Sequence, residues 1–178
     1  MLAAMAAMVV VYAGAALATS VSEGEPNNSI AEAQNIDRYF SLDSDPNITD
    51  STTVPHATVD GTGDNTYDYY SFTVPQAGVS TIGVFDIDGG WPSFDSTLWL
   101  YDSNGALLDA ADDAPTDAGS TEICCGFTFD TYLQYNFPSA GTYYIKVSQY
   151  VDNPVPAGAS YKLNVSVPNH SNYDWEGF

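Results

Sequence analysis

Basic residues are almost missing from this chain. Three of its 178 residues are Lys or Arg, against 23 Asp and Glu, for a formal net charge of −20. The three are Arg38, Lys146 and Lys162. A surface of that sign repels phosphate backbones and anionic lipid headgroups, which excludes nucleic acid as a partner. It also repels itself, so bound cations or high ambient salt would relieve a strain on the fold. Histidine is nearly as scarce: His56 and His170 are the only two, and neither lies in a catalytic motif. GxSxG turns, papain-like Cys contexts and glycine-rich phosphate loops are all missing. With so many acids, a close pair of carboxylates says nothing about glycosidic chemistry. Catalysis is not expected. Cysteine is limited to the adjacent pair Cys124-Cys125, without CxxC or zinc spacing. The pair reads as one buried and one exposed thiol, as a strained vicinal bridge, or as a bond to another chain.

Long apolar runs are confined to residues 1–18, MLAAMAAMVVVYAGAALA. Helical through Ser20, such a segment would span roughly 30 Å, about one bilayer core. Ala16-Leu17-Ala18 is a small-x-small cleavage site and favours a secretory signal peptide. The missing basic n-region favours a retained single-span anchor over residues 1–20. Both readings stay open, and both put the acidic remainder outside the cytoplasm, at the cell surface or in a periplasm.

What is present in quantity is aromatic and turn-forming. Aromatics make up 13% of the chain, with 10 Pro and 14 Gly, a composition that suits an all-β domain with many turns. Residues 21–53 read as a polar linker or N-terminal segment, with one or two helical turns over Ser29–Asn35. Candidate strands follow at His56–Val59, Tyr69–Val74, Val79–Ile87, Ser96–Tyr101, Ala106–Ala111, Glu122–Cys125, Phe127–Phe137, Thr142–Tyr150 and Tyr161–Val167. Alternation is clearest near the end, where Tyr143/Ile145/Val147 and Tyr161/Leu163/Val165/Val167 each take one face. Short strands separated by turn signals describe an antiparallel β-sandwich over residues 54–168, with a tail at 169–178. The segment Asp86–Asp113 sets seven aspartates among Asp/Asn/Gly turns. Oxygen-rich turns on a β-scaffold suit a hard cation such as calcium better than they suit acid–base chemistry. Asp86, Asp88, Asp95, Asp112 and Asp113 are the candidates there, grouped as one pair of turns. An EF-hand is excluded, because the loop lacks the Glu at its twelfth position.

Several motifs in order carry a family likeness. They are Glu25-Pro-Asn-Asn-Ser29 with Ala31, Ala33 and Gln34; Gly63-Asp-Asn-Thr-Tyr-Asp-Tyr-Tyr-Ser-Phe72; Asp95-Ser-Thr-Leu-Trp-Leu-Tyr-Asp-Ser-Asn-Gly105; Asp112-Asp113; and Ala140-Gly-Thr-Tyr-Tyr-Ile-Lys-Val147. Over roughly residues 23–167 the chain resembles the bacterial pre-peptidase C-terminal domain, a jelly-roll-like β-sandwich family that includes the collagen-binding domains of clostridial collagenases. The resemblance implies a calcium site where an acidic N-terminal segment crosses the loop before the D-x-Y-x-F strand. By position, Glu23, Glu25, Asn27 and Asn28 come from the first segment, and Asp64, Asn65 and Asp68 from the second. Asn28 and Asn65 stand where members often have Asp, which lowers the charge of the site. Collagen-binding members also use exposed aromatics; here Trp99, Tyr101, Tyr144 and Tyr150 are the candidates for a binding surface. The strand Val147-Ser-Gln-Tyr150 keeps one of the two expected tyrosines, which speaks against collagen. The expected partner is a membrane protein complex if the anchor is kept, or a secreted protein or polysaccharide substrate if it is lost.

Overall fold

The computed structural model describes residues 19–78 and 81–171. The helix expected at residues 1–18 and the end of the tail, 172–178, lie outside the described residues, as do 79 and 80. Among the described residues no helix is long and apolar enough to cross a membrane.

The described strands, in chain order, are β1 (Val21–Ser22), β2 (Gln34–Asn35), β3 (His56–Thr62), β4 (Asp68–Val74), β5 (Ile82–Asp88), β6 (Ser96–Tyr101), β7 (Leu107–Ala111), β8 (Asp113–Pro115), β9 (Phe127–Asn136), β10 (Gly141–Gln149) and β11 (Ser160–Ser166). They form two sheets, one ordered β1-β3-β11-β5-β9-β8 and the other β2-β4-β10-β6-β7. The expected all-antiparallel sandwich is in fact mixed: β1 runs parallel to β3, and β2 parallel to β4. Both exceptions belong to one N-terminal segment, which adds a two-residue edge to each sheet. Between those edges the segment passes from one sheet to the other along the rim of the sandwich.

Strand alternation builds the core, because successive side chains leave opposite faces of a sheet. From the first sheet come Val59, Phe85, Ile87, Leu163 and Val165, and from the second Tyr70, Phe72, Val74, Leu98, Leu100, Ile145 and Val147, all completely buried. Each such apolar side chain contributes on the order of 2 kcal/mol of burial free energy. An aromatic group at one end ties the layers together, with ring centroids 5.3 Å apart for Phe72–Phe85 and 4.6 Å for Phe137–Tyr143.

Three expectations need correction. The segment read as a polar linker is part of the sandwich: Ile36 and Phe40 are completely buried, and His170 stacks on Phe40 at 3.7 Å. Helical structure over Ser29–Asn35 shrinks to a single 3-10 turn at Ile30–Glu32, because Gln34–Asn35 is taken up as β2. Ser29 gives its hydroxyl to the Glu32 carboxylate and leaves the helical amides uncapped. The strand expected at Glu122–Cys125 shrinks to a single antiparallel bridge between Cys124 and Phe127; Cys125 and Gly126, both at positive φ, make the turn, and Phe127 N donates to Cys124 O at 3.0 Å. Turn geometry therefore replaces the one-in, one-out arrangement. Both thiols are exposed and free.

Candidate metal centre

The rim crossed by the N-terminal segment gathers oxygen. Asp68 heads the inward row of β4, so alternation aims it at the core beside Tyr70, and it is completely buried. Glu23 follows β1 directly; its amide donates to Asp60 O at 2.9 Å, which fixes where its side chain starts. Glu23, Glu25 and Asp68 each offer a carboxylate oxygen, and the three lie within 4.8 Å of one another.

Two phenols orient these carboxylates. Tyr161, on the first sheet, donates to Asp68 Oδ2 at 2.6 Å. Tyr70, on the second, donates to Glu23 Oε1 at 2.7 Å, and the two hydroxyls are 2.8 Å apart. The tyrosine ring from β11 lies flat against Gly61, directly across the strand pair, where any Cβ would collide with it. Glu23 is held further by Asn27 Nδ2 at 2.8 Å and by Thr62 N at 2.8 Å. Two buried oxygens at this rim, Asn27 Oδ1 and Asp68 Oδ1, have no hydrogen-bond partner. Leaving such groups unpaired costs about 1–3 kcal/mol each. Burial, then the nearby charges of Glu23, Glu25 and Asp64, push Asp68 up to about 8 despite the tyrosine hydrogen bond. Burial raises Glu25 as well, aided by Glu23 and Asp64. Carboxylates crowded this way need either protons or a cation.

Of the seven positions carried over from the resemblance, the structure brings Glu23, Glu25, Asn27 and Asp68 together. Asn28 and Asp64 sit alongside, joined through Thr66, whose hydroxyl donates to Asn28 Oδ1 at 2.7 Å and whose amide donates to Asp64 Oδ1 at 2.9 Å. Asn65 is spent on fastening its loop to the segment before β11: at positive φ, its Oδ1 accepts from Ala157 N at 3.2 Å. The orienting tyrosines were missed as site residues. Tyr70 could have been found from its i, i+2 spacing to Asp68, whereas nothing local links Tyr161 to either.

The five further aspartates do not form one site. Asp95, Asp112 and Asp113 make one group, while Asp86 and Asp88 join Asp117 instead. The reason is chain path: β7 and β8 belong to different sheets, so Asp112 and Asp113 sit where the chain leaves one for the other. In the first group Asp95 Oδ1 and Asp112 Oδ1 lack partners, and burial with Asp112 and Asp113 nearby pushes Asp95 up to about 6.

The proposed aromatic surface is only partly a surface. Trp99, Tyr101 and Tyr144 are half-buried, and Tyr150 is 52% exposed. Lys146, itself buried, has its ammonium 4.4 Å from the Trp99 ring centre and 4.9 Å from that of Tyr67, and bonds Asp152 at 2.6 Å. These rings solvate a buried cation before they meet anything outside.

Residues 66–149 match the family model of the bacterial pre-peptidase C-terminal domain. The matched stretch contains Asp68 and begins after Glu23–Asn28. No curated protein matches the chain.

Proposed function

We propose that this chain, whose residues 66–149 match the family model of the bacterial pre-peptidase C-terminal domain, works as a non-catalytic, extracytoplasmic calcium-binding β-sandwich, an accessory or interaction module. The observation that carries this reading is the rim where Glu23, Glu25 and Asp68 converge with two unpartnered buried oxygens. The donor set is all oxygen, mixed between carboxylate and amide, and drawn from two remote segments; this is calcium chemistry. Glu23, Glu25, Asp68 and the Asn27 amide oxygen would hold the ion, and water would complete its shell. Bound there, calcium supplies charge neutralisation and a cross-link between the N-terminal segment and β4. Because the site is built only in the folded chain, its affinity adds to fold stability.

The apolar run at residues 1–18, if retained, makes the chain a membrane-tethered subunit that presents the sandwich to a larger membrane complex. Intact-mass analysis of protein isolated from its native source tests this: a mass lacking residues 1–18 eliminates the tether. A second reading, a secreted module that binds polysaccharide or protein, is favoured by one feature. Beside exposed Tyr150 and Val151 lies a groove of about 460 Å³ lined by Trp99 and Thr97. Glycan and protein pull-downs with Tyr150→Ala as control separate it from the first, since loss of capture in the variant supports the groove. For the calcium reading, equilibrium dialysis against calcium is decisive: no bound ion at millimolar calcium would refute it.

A further inference from the structure

The outward face of the first sheet holds a second acidic centre that the rim site does not use. Asp86 and Asp88 alternate along β5 with Phe85 and Ile87, so their side chains leave the hydrophobic core. They are nonetheless 5% and 3% exposed. The chain covers them: residues 47–50 and 115–118 wall a cleft of about 450 Å³ over that face. Gly119, at φ +101°, lies so close that a Cβ would collide with both Asp88 oxygens.

Asp86, Asp88 and Asp117 each offer an oxygen, and these lie within 4.8 Å of one another. The first two share a face by their spacing, and the third arrives on the loop. Asp88 Oδ2 accepts from Asn164 Nδ2 at 2.7 Å, and Asn164 is held in turn by Thr58 Oγ1 at 2.8 Å. That bond turns Asp88 and leaves its other oxygen, Oδ1, buried with no partner. A fourth carboxylate, Asp130, is fully engaged: it accepts from Trp91 N at 2.8 Å and Thr121 N at 3.0 Å, anchoring the far end of the same loop.

Among the described residues no cation answers this charge. Lys146 pairs with Asp152, and Arg38 lies over the Tyr39 ring. Lys162 stands cross-strand from both Asp88 and Asp60, and gives its ammonium to Asp60. His170 pairs with Asp37, and His56 Nδ1 lies against Val54 O. A buried carboxylate oxygen without donor or counter-charge is among the costliest arrangements a fold can hold.

We propose that Asp86, Asp88 and Asp117 form a second site for a hard divalent cation of the calcium type, which ties the 115–121 loop to the outer face of the first sheet. Asn164 positions the Asp88 ligand as outer partners of metal sites do. The adjoining cleft supplies water for the remaining coordination positions. Burial, with Asp88 and Asp117 close by, pushes Asp86 up to about 9.

The test uses the full chain, stripped with EDTA and dialysed against calcium alone, with Asp117→Asn and Asp88→Asn. Asp117 is exposed on its loop, so its variant keeps the sheet intact and decides the matter if Asp88→Asn does not fold. Each variant should bind one calcium fewer per chain than its parent, both in the wild type and in an Asp68→Asn background. Calcium should also protect the 115–121 loop from proteolysis in the parent and not in the variants. Unchanged stoichiometry in Asp117→Asn overturns the proposal. If Asp68→Asn changes nothing while Asp117→Asn loses an ion, the rim site falls and this one stands.

Discussion

Asp68→Asn separates a calcium centre from a buried acid, because the two give opposite results once metal is removed. In metal-free protein near pH 7, burial and Glu23 hold Asp68 above its ordinary range, at about 8, so it keeps its proton. Asn matches a protonated Asp in shape, and its oxygen can still accept from Tyr161. In EDTA the variant should therefore lie within about 1 kcal/mol of the wild type. With free calcium at about 100 times the Kd, the wild type gains about 2.7 kcal/mol by mass action. For a domain of this size that corresponds to a rise in Tm of about 5–10 °C. The variant has lost one of the three carboxylates of this site and should forgo that increment, keeping only what calcium contributes at Asp86, Asp88 and Asp117. Scanning calorimetry of both proteins, in EDTA and in calcium, is the assay. An equal calcium-induced rise in the two would refute the reasoning. So would a variant destabilised by the same amount with and without calcium, since that would make Asp68 a structural residue only.

Tyr161→Phe removes the hydroxyl that orients Asp68 and leaves the ring against Gly61; calcium affinity should fall about tenfold, read by titration calorimetry, with the fold kept. Gly119→Ala places a Cβ against Asp88 at a backbone angle that L-residues avoid, and urea denaturation should register a loss of about 1–3 kcal/mol. Asp37 supplies a pH test. Burial alone would raise it, but hydrogen bonds from His170, Thr73 and Asn35 outweigh that and bring it to about 2, from an ordinary 3.8. A depressed folded-state value stabilises the protein above about pH 4 and loses that contribution as pH falls through 2. Relative to wild type, Asp37→Asn should be destabilised by about 1–2 kcal/mol at pH 6, allowing for partial exposure, and the difference should vanish near pH 2. A constant difference across that range would dissociate the residue from the pH dependence.

Much of the sandwich is legible because a strand announces itself within a few residues. Ser96–Tyr101 was expected with the bounds the structure has, and the ends of β4, β9, β10 and β11 differ from expectation by a single residue. The failures share a cause. β1, β2 and β8 are two or three residues long, too short for alternation to register, and they exist because a neighbouring strand offers an edge. Ile36 and Phe40 are isolated apolar residues in a polar stretch, and only the path of the chain over the sandwich makes them core. Cys124 and Cys125 lie in a tight turn that a single Gly126 does not reveal.

The candidate rim site divides along the same line. Asp68 at the head of an apolar row is a local fact, and so are Glu23, Glu25 and Asn27 as an acidic cluster before it. That the two groups meet depends on the N-terminal segment crossing between sheets, for which the chain has no nearby signal beyond resemblance. Asp117 shows the limit more sharply: in sequence it is close to Asp112 and Asp113, yet it is brought to Asp86 and Asp88.

By itself the sequence determined which residues alternate, where strands turn, which side of each strand is apolar, and that negative charge greatly exceeds positive. All of these follow from bonding geometry and composition over short distances. Tertiary structure alone decided which carboxylates become neighbours, which of their oxygens go unpaired, and which lysine is drawn away to another acid. Those outcomes depend on where remote segments come to rest against one another, and the same side chains on another loop path would be ordinary solvated acids.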